Sequence, residues 1–124
     1  MRLLLDTHLF IWAITGDRRL KAAKNLILSA DSVYVSAASI WEIAIKTALR
    51  KIEGDPSEMA AAIETSGFVE LAVTARHAAR VGTLPPHHSD PFDRLLIAQA
   101  VTEPLILVTA DRTLAQYSDV VHVI

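Results

Sequence analysis

The chain has 124 residues, 52% apolar and 21% charged, with a formal charge of −2 and no cysteine. That balance excludes a disordered or fibrous chain, and the lack of cysteine excludes disulfides, thiolate metal sites and cysteine nucleophiles together. The small negative charge argues against holding nucleic acid by bulk electrostatics, but not against local basic patches or metal-bridged phosphate contacts.

The length suits one domain, residues 1–124, built on a single hydrophobic core. Met1-Arg2-Leu3-Leu4-Leu5 opens like a signal peptide, but Asp6 ends the run at once. No apolar stretch approaches the roughly 20 residues needed to span a bilayer, so a soluble, cytoplasmic protein is expected.

Residues 2–5 form an apolar run without alternation, as in a strand buried on both faces of a parallel sheet. Asp6-Thr7 follows, then a short helical pattern over 9–13, broken at Gly16-Asp17. Residues 20–30 read as an amphipathic helix entered through Arg18, Arg19, Lys21 and Lys24. A second strand is expected over 32–35. A long helix is expected over 36–50, where Ser39 and Glu42 match a capping box if the helix starts at Ser39. A helix from Asp55-Pro56 to about residue 66, a strand over 68–71 and a short helix over 74–81 come next.

A loop with two prolines and two histidines, residues 83–89, then delivers the chain to Asp90-Pro91-Phe92-Asp93. Here Asp90 suits the N-cap, Pro91 the first helical position and Asp93 the third, and the helix that follows is apolar on nearly every side. A buried strand over 105–109, a short helix from Asp111 to about Tyr117 and an edge strand over 120–123 close the chain. Strands alternating with helices define an α/β domain with a largely parallel sheet of four to five strands, covered on both faces.

In such a sheet, strand carboxyl ends and the amino ends of the following helices share one edge, where ligands bind. Asp6 follows the first strand and Asp111 follows the strand ending at Thr109. Glu42 and Asp93 stand at the fronts of two helices. Four carboxylates from four parts of the chain are therefore expected at one crevice, with Asp90 beside them. Taken singly, each also suits a helix cap or turn, and capping does not exclude ligation. Crowded acids repel and raise one another's pKa unless a cation lies between them. Hard oxygen donors without cysteine favour Mg²⁺ or Mn²⁺, and such an ion supports phosphodiester hydrolysis.

The segments Leu3-Leu4-Leu5-Asp6-Thr7-His8, Trp41-Glu42-Ile43 within 36–45, Asp90-Pro91-Phe92-Asp93-Arg94-Leu95-Leu96-Ile97-Ala98-Gln99-Ala100, and Leu107-Val108-Thr109-Ala110-Asp111 resemble the PIN-domain ribonucleases. The VapC-type toxins of bacterial toxin–antitoxin pairs are the most similar branch, and the likeness spans essentially the whole chain. It implies a PIN-like fold and a metal-dependent endoribonuclease acting as a toxin. By this resemblance Asp6, Glu42, Asp93 and Asp111 are the catalytic, metal-binding acids, Asp90 is accessory, and Thr7 and Thr109 orient a carboxylate or a metal-bound water. It also implies Mg²⁺ or Mn²⁺ as cofactor, RNA as substrate, a homodimer and a cognate antitoxin, with DNA reached only through that antitoxin.

Other polar residues admit two readings each. Lys46, one turn after Glu42, is its ion-pair partner or a catalytic group; Arg94 and Arg112 touch phosphate or are solvated. His87 and His88 stand beside Asp90, but hard Mg²⁺ prefers oxygen. Trp41 is expected in the core or a dimer interface rather than stacked on a base. Leu9, Phe10 and Trp12 either receive an antitoxin helix or belong to the core. A silent interaction module of the same fold should have lost an acid, and none is missing. An aspartyl-nucleophile phosphatase wants a second acid where His8 stands, and a phosphoacceptor receiver domain wants a late lysine where Asp111 stands.

Overall fold

The computed structural model describes residues 1–117 and 119–124. Its centre is a five-stranded sheet of β1 (Arg2–Leu5), β2 (Ser32–Ser36), β3 (Val69–Leu71), β4 (Ile106–Thr109) and β5 (Val121–Val123). The order is β3-β2-β1-β4-β5, and every pairing is parallel. β1 therefore lies in the middle, with Leu4 opposite Tyr34 of β2 on one side and Leu107 of β4 on the other. This explains its unbroken apolar character, because both of its faces are covered.

The two faces of β1 feed two layers. Leu3 and Leu5 pack with Val33, Val35 and Val108 against α1 (Thr7–Thr15), α3 (Ala37–Ala48) and α4 (Pro56–Thr65), through Leu9, Phe10, Ile43, Met59 and Ile63. Leu4 and Leu107 pack the other way, onto Leu96, Ile97 and Ala100 of α6 (Pro91–Thr102), joined by Leu114 and Tyr117. α5 (Ala75–Val81) lies along α6, where buried His77 bonds Glu103 at 2.5 Å. Among the described residues no helix is long and apolar enough to cross a membrane.

Three local expectations are corrected. The helix expected over 20–30 is two pieces, a 3₁₀ segment Arg18–Ala23 and α2 (Lys24–Ser29). Asp17 accepts from the Arg19 amide and guanidinium, which tightens the first turn and starts it earlier than the apolar pattern suggests. The segment after Asp111 is likewise 3₁₀, Arg112–Tyr117. The Ser39–Glu42 capping box does not form, because β2 runs on to Ser36, whose side chain caps α3 through the Ala38 amide at 3.0 Å.

Leu9 and Phe10 are fully buried, so they belong to the core and offer no docking surface. Trp12 is partly covered, with the Arg19 guanidinium over its ring at 4.6 Å. Of the two places expected for Trp41, the core is ruled out: it is 60% exposed, with its ring edge-on to Phe92 at 5.1 Å.

Leu4 should carry much of the second layer. Leu4→Ala is expected to destabilise the protein by about 3 kcal/mol, read from urea unfolding, because neighbours fixed in the sheet cannot collapse into the void.

Candidate active site

The strand order reverses beside β1, which leaves a crevice at the carboxyl ends of β1 and β4. The Asp6 amide bridges the two strands by donating to the Val108 carbonyl at 3.1 Å. Its side chain then does two things: Oδ1 caps α1 through the Leu9 amide at 2.9 Å, and Oδ2 accepts from Thr109 Oγ1 at 2.5 Å. Thr109 Oγ1 in turn accepts from the Asp111 amide at 3.0 Å. One hydroxyl thus couples two acids from opposite ends of the chain.

Thr7 does the equivalent work for the third acid. Its hydroxyl donates to Glu42 Oε1 at 2.7 Å and lies 2.9 Å from Ser39 Oγ, while Lys46 Nζ donates to Glu42 Oε2 at 2.6 Å. Glu42 is only 4% exposed, so fixed partners have replaced its hydration. Lys46 is committed to that pair, and its pKa is raised, first by its bond to Glu42. Ser39, which the sequence suggested only as a cap, is a buried member of this network because it lies one turn inside the helix.

Asp90 and Asp93 stand together at the start of α6. Asp90 Oδ1 accepts from the Phe92 and Asp93 amides at 2.9 and 3.0 Å, which makes it the N-cap. Asp93 Oδ2 lies 2.8 Å from His88 Nε2. Burial pushes the Asp93 carboxyl up to about 6, against the relief from His88, and the charges of Asp90 and Glu42 add to the rise. Asp6 is also raised by burial, with Glu42 contributing and Thr109 opposing. Asp111 is exposed and its pKa is lowered, first by the Thr113 hydroxyl, with His88 and His8 assisting.

Asp6, Glu42, Asp93 and Asp111 are thus gathered at one crevice with Asp90 at its edge, and each deeply placed acid feels another's charge. The buried group carries more negative charge than Lys46 neutralises, and its carboxylate oxygens are hard donors that keep lone pairs beyond their single hydrogen bonds. That donor set fits a divalent cation such as Mg²⁺ or Mn²⁺.

The basic residues divide. Arg94 does not reach toward the crevice: its guanidinium donates to the carbonyls of Val81, Pro85 and His88 at 3.0 to 3.2 Å, so it fastens the loop instead of offering itself to phosphate. Arg112 is exposed beside Asp111. His87 packs edge-on against Tyr117 at 5.2 Å, whereas His88 joins the acids. His8 was passed over as a site residue, yet its charge is felt at both Asp6 and Asp111. Its only signal in the sequence is its place in the first turn after Asp6.

A Rossmann-like parallel sheet with carboxylates gathered at the reversal of strand order defines an acidic-crevice α/β protein. Residues 3–120 match the PIN domain, and the chain belongs to that family. It is 32% identical to Ribonuclease VapC22 of Mycobacterium tuberculosis, covering 92% of this chain and 90% of the relative. Among solved structures it resembles VapBC2 from Rickettsia felis, bound to a DNA fragment from its promoter, with TM-score 0.70 and 16% identity over 98% of both chains. A toxin–antitoxin complex from Klebsiella pneumoniae matches with TM-score 0.64 and 21% identity, covering 91% of this chain and 90% of that one. At these identities the structural likenesses establish the fold.

The raised Asp93 carboxyl makes stability depend on pH. Between the ordinary value near 3.8 and about 6 the folded protein binds a proton that the unfolded chain has lost, so stability falls as pH rises through that window. In EDTA, Asp93→Asn should melt higher than the unsubstituted protein at about pH 7.5 and lose that advantage near pH 4. Thermal unfolding of both proteins at the two pH values checks this.

Proposed function

We propose that this protein is a metal-dependent endoribonuclease that acts as the toxin of a toxin–antitoxin pair. The observation that carries the reading is the convergence of Asp6, Glu42, Asp93 and Asp111 from four segments on one crevice at the β1–β4 junction, the first three withdrawn from water and Asp111 at the exposed rim. The relative named Ribonuclease VapC22, 32% identical across nearly the full chain, supports the activity. A Mg²⁺ or Mn²⁺ bound here would supply Lewis-acid polarisation of a phosphoryl oxygen and would lower the pKa of a water.

The protein's own residues supply the positioning. Asp6, Glu42, Asp93 and Asp111 would hold the ion, and Asp90 adds negative charge while capping α6. Thr109 and Thr7 lock the rotamers of Asp6 and Glu42, so neither carboxylate needs to reorganise when the site loads. Lys46 balances part of the charge on Glu42. In this reading Arg112, exposed next to Asp111, is the residue that meets the RNA backbone, while Arg94 holds the loop. With a net charge of −2, RNA contact is local and carried by the site.

An antitoxin protein is the regulatory partner, a reading supported by likeness to the VapBC2 and Klebsiella complexes; promoter DNA is reached only through it. A homodimer is supported by Trp41 and Ile45 of α3 and Leu49 at its C-cap, which stand four residues apart and are 60%, 37% and 60% exposed. Such a stripe of large apolar side chains is one that solvent does not favour.

The test is cleavage of a panel of structured and unstructured RNAs with Mn²⁺, Mg²⁺ or EDTA. Metal-dependent cutting that falls to background in Asp93→Asn is the expected result; cutting that persists in EDTA or in the variant would overturn the metal mechanism. Thr109→Val keeps the side-chain shape but removes the donor to Asp6. It should lower metal affinity or cleavage about 10- to 100-fold, measured by Mn²⁺ titration beside the RNA assay.

A further inference from the structure

The four acids do not exhaust the donors at this crevice. The loop before α6 brings in His88, and one of its ring nitrogens lies within 4.8 Å of a carboxylate oxygen from each of Asp93 and Asp111, which are as close to one another; Nε2 is 2.8 Å from Asp93 Oδ2. These three groups come from three separate segments: a loop, the first turn of α6 and the turn after β4. His88 is also only partly exposed, with a side chain accessible to 19%.

This placement is built into the fold. Arg94 reaches back from the first turns of α6 to the carbonyls of Val81, Pro85 and His88 itself, and the Tyr117 hydroxyl donates to Pro85 O at 2.7 Å. The loop backbone is therefore anchored at Pro85 from both α6 and the 3₁₀ segment, and at His88 itself from α6. The His87 ring next to it is turned against Tyr117.

We propose that His88 is a nitrogen ligand to the cation held by Asp93 and Asp111, making a mixed nitrogen–oxygen site that prefers Mn²⁺ and other first-row transition ions to Mg²⁺. The inference rests on the metal site proposed above and adds its selectivity. Mg²⁺ binds oxygen donors and gains little from imidazole, whereas affinity for transition ions rises when an imidazole joins the carboxylates. Ligation replaces the 2.8 Å bond between Nε2 and Asp93, since it uses the Nε2 lone pair of neutral imidazole, with the ring proton on Nδ1.

The experiment is pulsed electron paramagnetic resonance on the full chain loaded with Mn²⁺, with Mn²⁺ and competing Mg²⁺ affinities measured on the same samples. The unsubstituted protein should show the nitrogen coupling of a directly bound imidazole. His88→Gln should lose that coupling and bind Mn²⁺ about tenfold more weakly, while its Mg²⁺ affinity changes by less than about twofold. Glutamine keeps a side-chain amide able to bond Asp93, so a purely hydrogen-bonding role for His88 would survive the substitution. Mn²⁺ bound without nitrogen coupling, or coupling that persists in His88→Gln, would overturn the role of His88 and leave the acidic site standing. Failure of the unsubstituted protein to bind Mn²⁺ any better than Asp93→Asn would overturn the metal site, and this inference with it.

Discussion

Thr109 and Asp6 are 103 residues apart in sequence and share a hydrogen bond across the junction of the two central strands. Much of the crevice is arranged around that bond. It fixes the Asp6 carboxylate while Oδ1 caps α1, and the same threonine oxygen receives the Asp111 amide. A single side chain thus sets the first helix, the β1–β4 crevice and the turn after β4 relative to one another. A β-branched residue at a strand end suits the task, since its rotamer is already restricted by the sheet.

The electrostatics follow from this geometry. Asp6, Glu42 and Asp93 are withdrawn from water by the helices that cover the sheet, and their charges act on one another through the interior. The fold answers part of that cost locally. Glu42 takes Thr7 and Lys46, Asp93 takes His88, and Asp6 takes Thr109 and the α1 amide. These partners satisfy particular lone pairs without cancelling the combined charge. The arrangement therefore keeps an unmet demand for positive charge, as a site evolved to bind rather than to stabilise would.

Much of the layout was legible because it rests on local rules. Residues 2–5 lack alternation since β1 has neighbours on both sides and helices on both faces. Asp90 and Pro91 announce the start of α6 through capping chemistry that needs no tertiary context. The acids could be placed on one edge because strand ends and helix starts share an edge in any parallel sheet. What escaped notice depends on contacts between distant segments. Ser39 read as a cap until β2 proved to extend to Ser36. Arg94 looked available to phosphate because nothing in its own helix reveals the three carbonyls it binds. His88 owes its position to that same arginine. Trp41 carries an apolar signal that is the same whether the ring is covered or bare, and only the packing of α3 decides.

The central place of β1 has a temporal consequence during synthesis. β1, which needs neighbours on both sides, leaves the ribosome before either of them, and its second neighbour, β4, follows only after all six α-helices. A nascent chain released before β4 holds Asp6 without Thr109, lacks Asp111, and leaves one edge of β1 unpaired. Such a fragment has neither the crevice nor the closed sheet that supports it. Truncated products of interrupted translation are thus deprived of the site by topology alone.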